Sequence, residues 1–145
     1  MAQLHRSALV MYSAEEMYAL VNDVATYPQF LPGCVASRII SESERSMVAE
    51  VSVAKAGIHK QFTTQNALVP GREILMELVE GPFRQLHGIW RFTPLDEAAC
   101  KVALSLEFEF SSRLIETAFG AIFRELAGAM VKAFCQRAKE VYGVR

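Results

Sequence analysis

The sequence predicts an α+β domain in which one long C-terminal helix covers a single face of an antiparallel sheet of about seven strands. Between positions 34 and 110 apolar and polar residues alternate, which is typical of strands with one buried and one solvated face. From position 113 the apolar spacing becomes helical for about 30 residues, and at about 1.5 Å per residue such a helix crosses a whole small sheet. The predicted order is one strand, a short helix, six strands and the long helix, within a single domain of residues 1–145.

A strand, a short helix and a rigid turn are predicted for the first 33 residues. The strand covers residues 4–12, and Ser13 begins the pattern S-A-E-E, which has the spacing of a capping box at a helix start. Two prolines in the following segment fix φ and lack an N–H, so no helix is expected to continue through them. We call residues 27–33 the elbow and expect it to lock the short helix against the open side of the sheet. Its large apolar side chains are Tyr27, Phe30 and Leu31.

Six strands and their turns are predicted between the elbow and position 110. In the last of these strands every second residue from Val102 to Phe110 is apolar, and most of the residues between them are polar. We expect the apolar set to face the long helix. Turns are predicted at Ser43-Glu44, Gly57, Pro70-Gly71, Gly81-Pro82 and residues 94–97, at intervals typical of a meander.

The long helix is expected to begin after Ser112, which can cap it, and to end at Gly143. Its apolar stripe is expected to pack on the sheet along the whole helix. Arg137 falls within this stripe, and two interpretations of it remain open. Its guanidinium either holds an oxygen atom of a bound ligand, or lies at the rim of the sheet over apolar surface or beside a carboxylate.

Composition argues against several classes of protein. The net charge of −1 gives no overall attraction to nucleic acid or to an anionic membrane, so DNA is not an expected partner and membrane contact is at most peripheral. Three cysteines far apart in the sequence argue against a disulfide framework and favour a reducing compartment. Because the sequence has no recognisable signal segment and no apolar run of about 18 residues, we expect a cytoplasmic protein.

Sequence motifs along nearly the whole chain resemble those of a known family. The segments that carry the resemblance are 13–34 (SAEEMYALVNDVATYPQFLPGC), 55–58 (KAGI), 62–64 (FTT), 80–83 (EGPF), 90–95 (WRFTPL), 108–110 (FEF), 133–134 (AF) and 137–139 (RAK). They are similar to those of the coenzyme-Q-binding START-like family, also labelled polyketide cyclase/dehydrase, and most similar to its bacterial branch of ribosome association toxins. The resemblance implies a helix-grip fold, in which a curved antiparallel sheet surrounds a long C-terminal helix and leaves a cavity between them.

The resemblance also implies a function. The first hypothesis is a non-enzymatic protein that binds ubiquinone or a similar isoprenoid lipid in this cavity and supports respiration, with no other cofactor. The bacterial branch adds a second hypothesis, a toxin that binds the large ribosomal subunit and blocks the association of the two subunits. The alternative is a polyketide cyclase-type enzyme that acts on a ligand in the same cavity.

The residues themselves favour a binding protein over an enzyme. The histidines at positions 5, 59 and 87 are scattered, none has the spacing of a metal ligand, and no nucleophile or phosphate-binding motif occurs. The inward positions are mostly aliphatic and aromatic, as in a lipid pocket. Plain core packing is the better explanation of any single aromatic residue, and the pocket is favoured only by the set as a whole. The predicted ligand-binding residues are Tyr27, Phe30, Leu31, Leu86, Trp90, Phe92, Leu104, Leu106, Phe108, Phe119, Phe123, Leu126 and Met130.

A ribosome contact requires basic residues that are free to neutralise RNA phosphates. The outer arc of the long helix offers Arg124, Lys132 and Lys139 as candidates. An ordinary solvated helix face is the alternative interpretation of the same residues.

Overall fold

The computed structural model describes residues 2–145 as a seven-stranded antiparallel sheet with two α-helices and one 3₁₀ helix. The strands lie side by side in the order β1-β7-β6-β5-β4-β3-β2, so β1 and β2 form the two edges of the sheet. This confirms the predicted order of elements and the curved sheet with a long C-terminal helix. The elements are β1 (Ala2–Val10), α1 (Ala14–Asn22), the 3₁₀ helix (Val24–Gln29), β2 (Cys34–Glu42), β3 (Ser46–Lys55), β4 (Ile58–Val69), β5 (Glu73–Glu80), β6 (Phe83–Asp96), β7 (Ala99–Phe110) and α2 (Arg113–Tyr142).

Alternation along the strands places one face of the sheet against the helices. In β7 every second residue from Val102 to Phe110 is buried, as predicted. The turn predicted at residues 94–97 is only partly correct, because β6 continues to Asp96 and the turn follows at residues 97–98. Pro94 lies instead at an irregularity in the pairing with β7, where a residue without an N–H is tolerated.

Both ends of α1 match the sequence, because α1 begins after Ser13 and ends at Asn22 with Asp23 as its C-cap. The Ser13 hydroxyl accepts a hydrogen bond from the Glu16 amide at 3.0 Å, and the Glu16 carboxylate accepts one from the Ser13 amide at 2.9 Å. As expected, α1 does not continue through the prolines, but a separate 3₁₀ helix that was not predicted contains Pro28. Its fixed φ suits 3₁₀ geometry, and it falls between turns closed by the amides of Thr26 and Phe30, so its missing N–H is not needed there.

Two clusters of aromatic rings hold α2 against the sheet. In the first, which we call the elbow cluster, the Phe134 ring lies 5.1–5.4 Å from three other rings. In the second, the distal cluster, the Phe123 ring lies 4.8 Å from that of Phe83 and 5.0 Å from that of Phe108. Phe123 and Phe134 are about 16 Å apart along the helix axis. The elbow cluster consists of Tyr27, Phe30, Trp90 and Phe134, and the distal cluster of Phe62, Phe83, Phe108, Phe110, Phe119 and Phe123.

Arg137 fastens the elbow to α2. Its guanidinium lies 5.1 Å from the centre of the Phe30 ring and donates a hydrogen bond to the Gln29 side-chain oxygen at 2.9 Å. This geometry matches the rim interpretation, with an amide rather than a carboxylate as the partner. The same contacts leave Arg137 outside the apolar interior. It is therefore not placed to hold an oxygen atom of a bound ligand, as the other interpretation required.

A second set of polar contacts joins the C-terminus to the start of α1. The Arg145 guanidinium donates to both carboxylate oxygens of Glu16, at 2.7 and 2.9 Å, and lies 5.0 Å from the centre of the Tyr12 ring. The Tyr142 hydroxyl donates to the Glu16 carbonyl at 2.9 Å. The hydrogen bond from Arg145, followed by that from the Ser13 backbone, lowers the pKa of Glu16 to about 2.

Neither of the α-helices found within residues 2–145 is both long and apolar enough to span a membrane. Cys34 and Cys100 are buried, Cys135 is half-buried, and all three are free thiols. The predicted absence of a disulfide framework therefore agrees with the described part of the chain.

Removing the ring of Phe134 should destabilise the whole fold. Phe134 is fully buried at the centre of the elbow cluster, so Phe134→Ala is expected to lower the free energy of unfolding in urea by about 3–5 kcal/mol. Phe30→Ala is the matched control, because Phe30 is half-buried at the edge of the same cluster and its loss should cost about half as much. Equal losses for the two variants would contradict a cluster centred on Phe134.

The contact between Glu16 and Arg145 should make stability depend on pH. Because the folded state lowers the pKa of Glu16 from 4.5 to about 2, the charged carboxylate favours folding. Its contribution is complete above about pH 5 and is lost as the pH falls towards 2. We expect the gap in urea midpoint between wild type and Glu16→Gln to be widest at pH 6 and to shrink by pH 3. Glu44→Gln, in the exposed β2–β3 turn, is the control; a gap for Glu16→Gln that does not change with pH would contradict the assignment.

Candidate functional site

An apolar cavity lies between the sheet and the part of α2 that separates the two aromatic clusters. Its walls come from the 3₁₀ helix and the elbow, from inward-facing residues of β2 to β7, and from α2. The enclosed volume is about 80 Å³. This is roughly half the volume of an apolar cavity that holds benzene, which is about 150 Å³.

Most of the predicted ligand-binding residues meet at this cavity. Their strands and helices bring them there because alternate residues of a strand, and residues three or four apart on a helix, share one face. Those that line the cavity are Tyr27, Leu31, Leu86, Trp90, Leu104, Leu106, Phe123, Leu126 and Met130.

Four of the predicted residues do not line the cavity. Phe30 packs in the elbow cluster, while Phe108 and Phe119 pack in the distal cluster. Phe92 lies between the rings of Trp90 and Tyr18. Periodicity correctly gave the face that each residue occupies, but it did not show how far along the strand or helix the cavity extends.

Half of the lining residues were not in the predicted ligand-binding set. The missed residues come mainly from β3 and β4, where the alternation in the sequence already separates the two faces. Two of them, Thr64 and Asn66, are polar side chains at inward positions, which hydropathy alone assigns to solvent. The complete set of missed residues is Val24, Cys34, Ala49, Val51, Phe62, Thr64, Asn66, Met76 and Ala127.

The polar groups of the lining are few, and none carries a formal charge. The Thr64 hydroxyl donates a hydrogen bond to the Asn66 side-chain oxygen at 2.9 Å. The Tyr27 hydroxyl donates to the Val21 carbonyl. Burial raises the pKa of Tyr27 and that of the Cys34 thiol, so both groups stay protonated at neutral pH. The cavity is therefore a neutral, mostly apolar space with one polar pair on β4.

A glycine in β6 allows the cavity floor to pack closely. A Cβ atom at Gly88 would lie 2.4 Å from Cδ2 of Leu106 and 3.0 Å from Cε of Met76. Any larger residue would displace these two side chains. Gly88 thus lets Met76 of β5 and Leu106 of β7 approach one another across β6.

An apolar groove on the surface adjoins the cavity. It lies between the elbow, the end of β3 and α2, and Leu126 lines both the groove and the cavity. Beside the groove, Nζ of Lys55 contacts both carboxylate oxygens of Glu125 at 2.7 Å. The remaining groove residues are Pro32, Gly33, Val53, Ala54, Ile122 and Ala129.

The three histidines lie on the face of the sheet that points away from α2. His5 contacts the Ser105 hydroxyl at 2.7 Å, and His87 lies 3.3 Å from the Glu107 carboxylate. His59 occupies an exposed position in β4. None of them lines the cavity, and the described residues contain no cluster of three His, Cys, Asp or Glu side chains that could hold a metal ion.

The candidate basic residues of α2 are not equivalent. Arg124 lies 3.3 Å from the Glu116 carboxylate, and its guanidinium lies 5.5 Å from the centre of the Phe110 ring. Arg124 is exposed on the outer arc as expected, but its guanidinium is already engaged by these two contacts. Lys132 and Lys139 are exposed, and neither has an ion-pair partner within residues 2–145.

Residues 10–135 match the model of a protein family described as polyketide cyclase/dehydrase and lipid transport. The chain is 64% identical over 143 residues to the ribosome association toxin RatA of Vibrio cholerae, and the match covers 99% of both chains. It is 28% identical over 141 residues to the mitochondrial coenzyme Q-binding protein COQ10 homolog B of Xenopus laevis, covering 94% of this chain and 58% of that protein.

The fold recurs in solved structures. The Zhui aromatase/cyclase from Streptomyces sp. R1128 superimposes with a TM-score of 0.84 and 19% identity, and the match covers 96% of this chain and 94% of that one. At this level of identity the likeness concerns the fold and leaves the chemistry open.

Proposed function

The chain belongs to the polyketide cyclase/dehydrase and lipid transport family, and we propose that it binds an apolar lipid such as ubiquinone or another isoprenoid and supports respiration. The observation that carries the proposal is the neutral and mostly apolar lining of the cavity, which spans six strands, the elbow and α2. Ligand sites for apolar molecules have such a lining with a few polar groups that fix orientation. The 28% identity to a protein named for binding coenzyme Q agrees with this choice of ligand.

The cavity has to enlarge before it accepts a quinone ring. Its volume of about 80 Å³ is too small for a substituted ring. Leu126 separates the cavity from the adjoining groove, and Met76 and Met130 in the lining have flexible side chains that adapt to different shapes. We therefore propose that the ligand enters from the groove by displacing Leu126.

Only a weak ion pair joins the two sides of the groove. Both partners of the ion pair between Lys55 and Glu125 are at least half exposed, and exposed pairs contribute about 0–1 kcal/mol. Lys55 lies at the end of β3, next to a turn in which Ala56 and Gly57 both have positive φ. Movement of this hairpin away from α2 would open the groove without disturbing the aromatic clusters.

We further propose that the protein acts without catalysing a reaction. The titratable groups of the lining are Tyr27 and Cys34, both with a raised pKa, and neither lies beside a charged lining residue. Acid–base or nucleophilic chemistry needs a group that titrates near the working pH or is activated by a neighbour. A polyketide cyclase-type enzyme with a ligand in the same cavity remains the alternative.

Filling the cavity should expel the lipid. Leu126→Trp adds bulk where the cavity meets the groove, and overpacking by about 1–3 kcal/mol should lower the retained lipid about tenfold. The measurement is mass spectrometry of an organic extract of purified protein. Ala121→Trp, at an exposed position of α2, should retain as much lipid as wild type.

Two outcomes would oppose the proposal. Equal lipid content in Leu126→Trp and wild type, with a native circular dichroism spectrum, would place the lipid elsewhere. Recovery of an added ligand with a changed mass would favour the cyclase-type enzyme.

A ribosome-directed role is the second proposed function. The relative with 64% identity carries the name ribosome association toxin, and the match covers almost all of both chains. On this chain, Lys132 and Lys139 lie two turns apart on the exposed side of α2, without ion-pair partners among the described residues. We propose that they contact RNA of the large ribosomal subunit in the cytoplasm, and that the bound protein blocks subunit association.

Reversing these two charges should weaken ribosome binding selectively. Lys132→Glu with Lys139→Glu removes two phosphate contacts and adds repulsion, so co-sedimentation with large subunits should fall at least about tenfold and the salt dependence should flatten. Arg45→Glu with Lys101→Glu makes the same change in net charge at exposed positions away from α2 and should bind as wild type does. Equal losses in the two double variants would show that only net charge matters, and no loss in either would locate the contact elsewhere.

A further inference from the structure

The polar pair on β4 is unlike the rest of the cavity wall. Thr64 and Asn66 are two residues apart on the same face of the strand, and they are 9% and 6% exposed. The Thr64 hydroxyl uses the Asn66 oxygen as its acceptor. The Asn66 amide nitrogen has no hydrogen-bond partner within residues 2–145, although its residue is more than nine-tenths buried and lines the cavity.

An amide group in this position works against folding. Asparagine is disfavoured in strands, and an N–H donor that faces an apolar cavity without an acceptor has lost most of its contact with water without replacement. The neighbours of Asn66 across the sheet are Met47 on β3 and Met76 on β5, so a leucine would suit the surroundings better. An acceptor supplied by a ligand would complete the hydrogen bonding of the amide.

The surroundings also define the charge of that acceptor. No formally charged side chain lines the cavity, and its two titratable groups, Tyr27 and Cys34, are neutral at pH 7. A carboxylate or phosphate group would be buried there without a counter-charge, which is strongly unfavourable. A neutral carbonyl oxygen meets the same donor without this penalty.

We infer that Asn66, oriented by Thr64, donates a hydrogen bond to the carbonyl oxygen of a neutral lipid, and so selects ketones and quinones over fatty acids of equal length. This inference rests on the proposed lipid-binding function and adds the group that is recognised and the residues that recognise it. Asn66 contacts the ligand, whereas Thr64 is a positioning residue.

Trp90 provides a built-in signal for the test. It is the only tryptophan of the chain and it lines the cavity, so a quinone that enters should quench its fluorescence. The probes are a decyl-substituted benzoquinone, decanoic acid and decylbenzene, which share a ten-carbon tail but differ in the head. Calorimetry gives the dissociation constant for each probe, and fluorescence gives an independent value for the quinone.

Wild type should bind the quinone at least about tenfold more tightly than decanoate at pH 7. Asn66→Leu, which keeps the volume and removes the amide, should weaken quinone binding about tenfold and leave decylbenzene binding unchanged or tighter. Without ligand, this variant should melt at the same temperature as wild type or higher, because an unpaired donor has been removed. A purely structural role for Asn66 predicts the opposite, a lower melting temperature.

Two further variants keep the test decisive. Thr64→Val removes the hydroxyl that orients the amide and should weaken quinone binding by a smaller factor, even if Asn66→Leu folds poorly. Ser52→Ala changes a buried hydroxyl outside the cavity and should have no effect on binding.

The outcomes separate this inference from the function on which it rests. Quinone binding by Asn66→Leu and Thr64→Val within twofold of wild type would overturn the inference and leave the lipid-binding function intact. Decanoate bound as tightly as the quinone would overturn the selection of neutral heads in the same way. Failure of wild type to bind any of the three probes would overturn the proposed function and this inference together.

Discussion

Aromatic rings hold α2 against the sheet at Phe123 and Phe134. The cavity is the space that remains between α2 and the sheet from one of these contacts to the other. Rings at each contact are large enough to fill the distance between helix and sheet, with centroid separations of 4.8–5.4 Å to their nearest partners. Between the contacts the facing residues include Ala127 on α2 and Ala49 on β3, which are too short to meet. The cavity is therefore a consequence of where large and small residues fall along one helix.

Keeping this space open lowers the stability of the fold. At roughly 24 cal/mol per Å³, an empty volume of about 80 Å³ costs about 2 kcal/mol. That is a sizeable part of the roughly 5–15 kcal/mol by which a domain of ordinary stability is folded. Substitution of Ala127 or Ala49 by a larger apolar residue would fill the space, and the unpaired amide of Asn66 adds to the cost. Both features are explained together if the space is normally occupied by a ligand that fills it and accepts a hydrogen bond.

The sequence predicted the elements well and the cavity only in part, for a physical reason. Alternation in β7, the capping box at Ser13 and the signals at Ser112 and Gly143 depend on local residues, so local patterns are sufficient to predict them. Whether a residue lines the cavity depends on distances between elements that are far apart in the chain. Phe108 and Leu106 occupy the same face of β7, yet only Leu106 lies beside the space that the aromatic clusters leave open.

The contacts of polar residues were harder to predict than the positions of apolar residues, because a hydropathy pattern does not show the partner of a polar group. Asn66 looks like a solvated residue until β3 and β5 are placed on either side of it. Arg124 looks like a free cation until α2 brings it next to Glu116 and the Phe110 ring. Pro28 looks like a helix terminator until the turns on either side of it are seen to need no hydrogen bond from that position.

The position of α2 also determines how the two proposed functions relate to one another. Leu126 faces the cavity, while Lys132 lies on the exposed side of the same helix. A ligand that enters through the groove needs Leu126 to change rotamer and the Lys55 hairpin to move, and both changes leave the aromatic clusters intact. Because those clusters fix α2 at both ends of the cavity, the exposed lysines keep their positions whether the cavity is empty or filled. Ligand occupancy can alter ribosome binding only by shifting α2 as a whole, which requires the buried rings around Phe123 or Phe134 to separate.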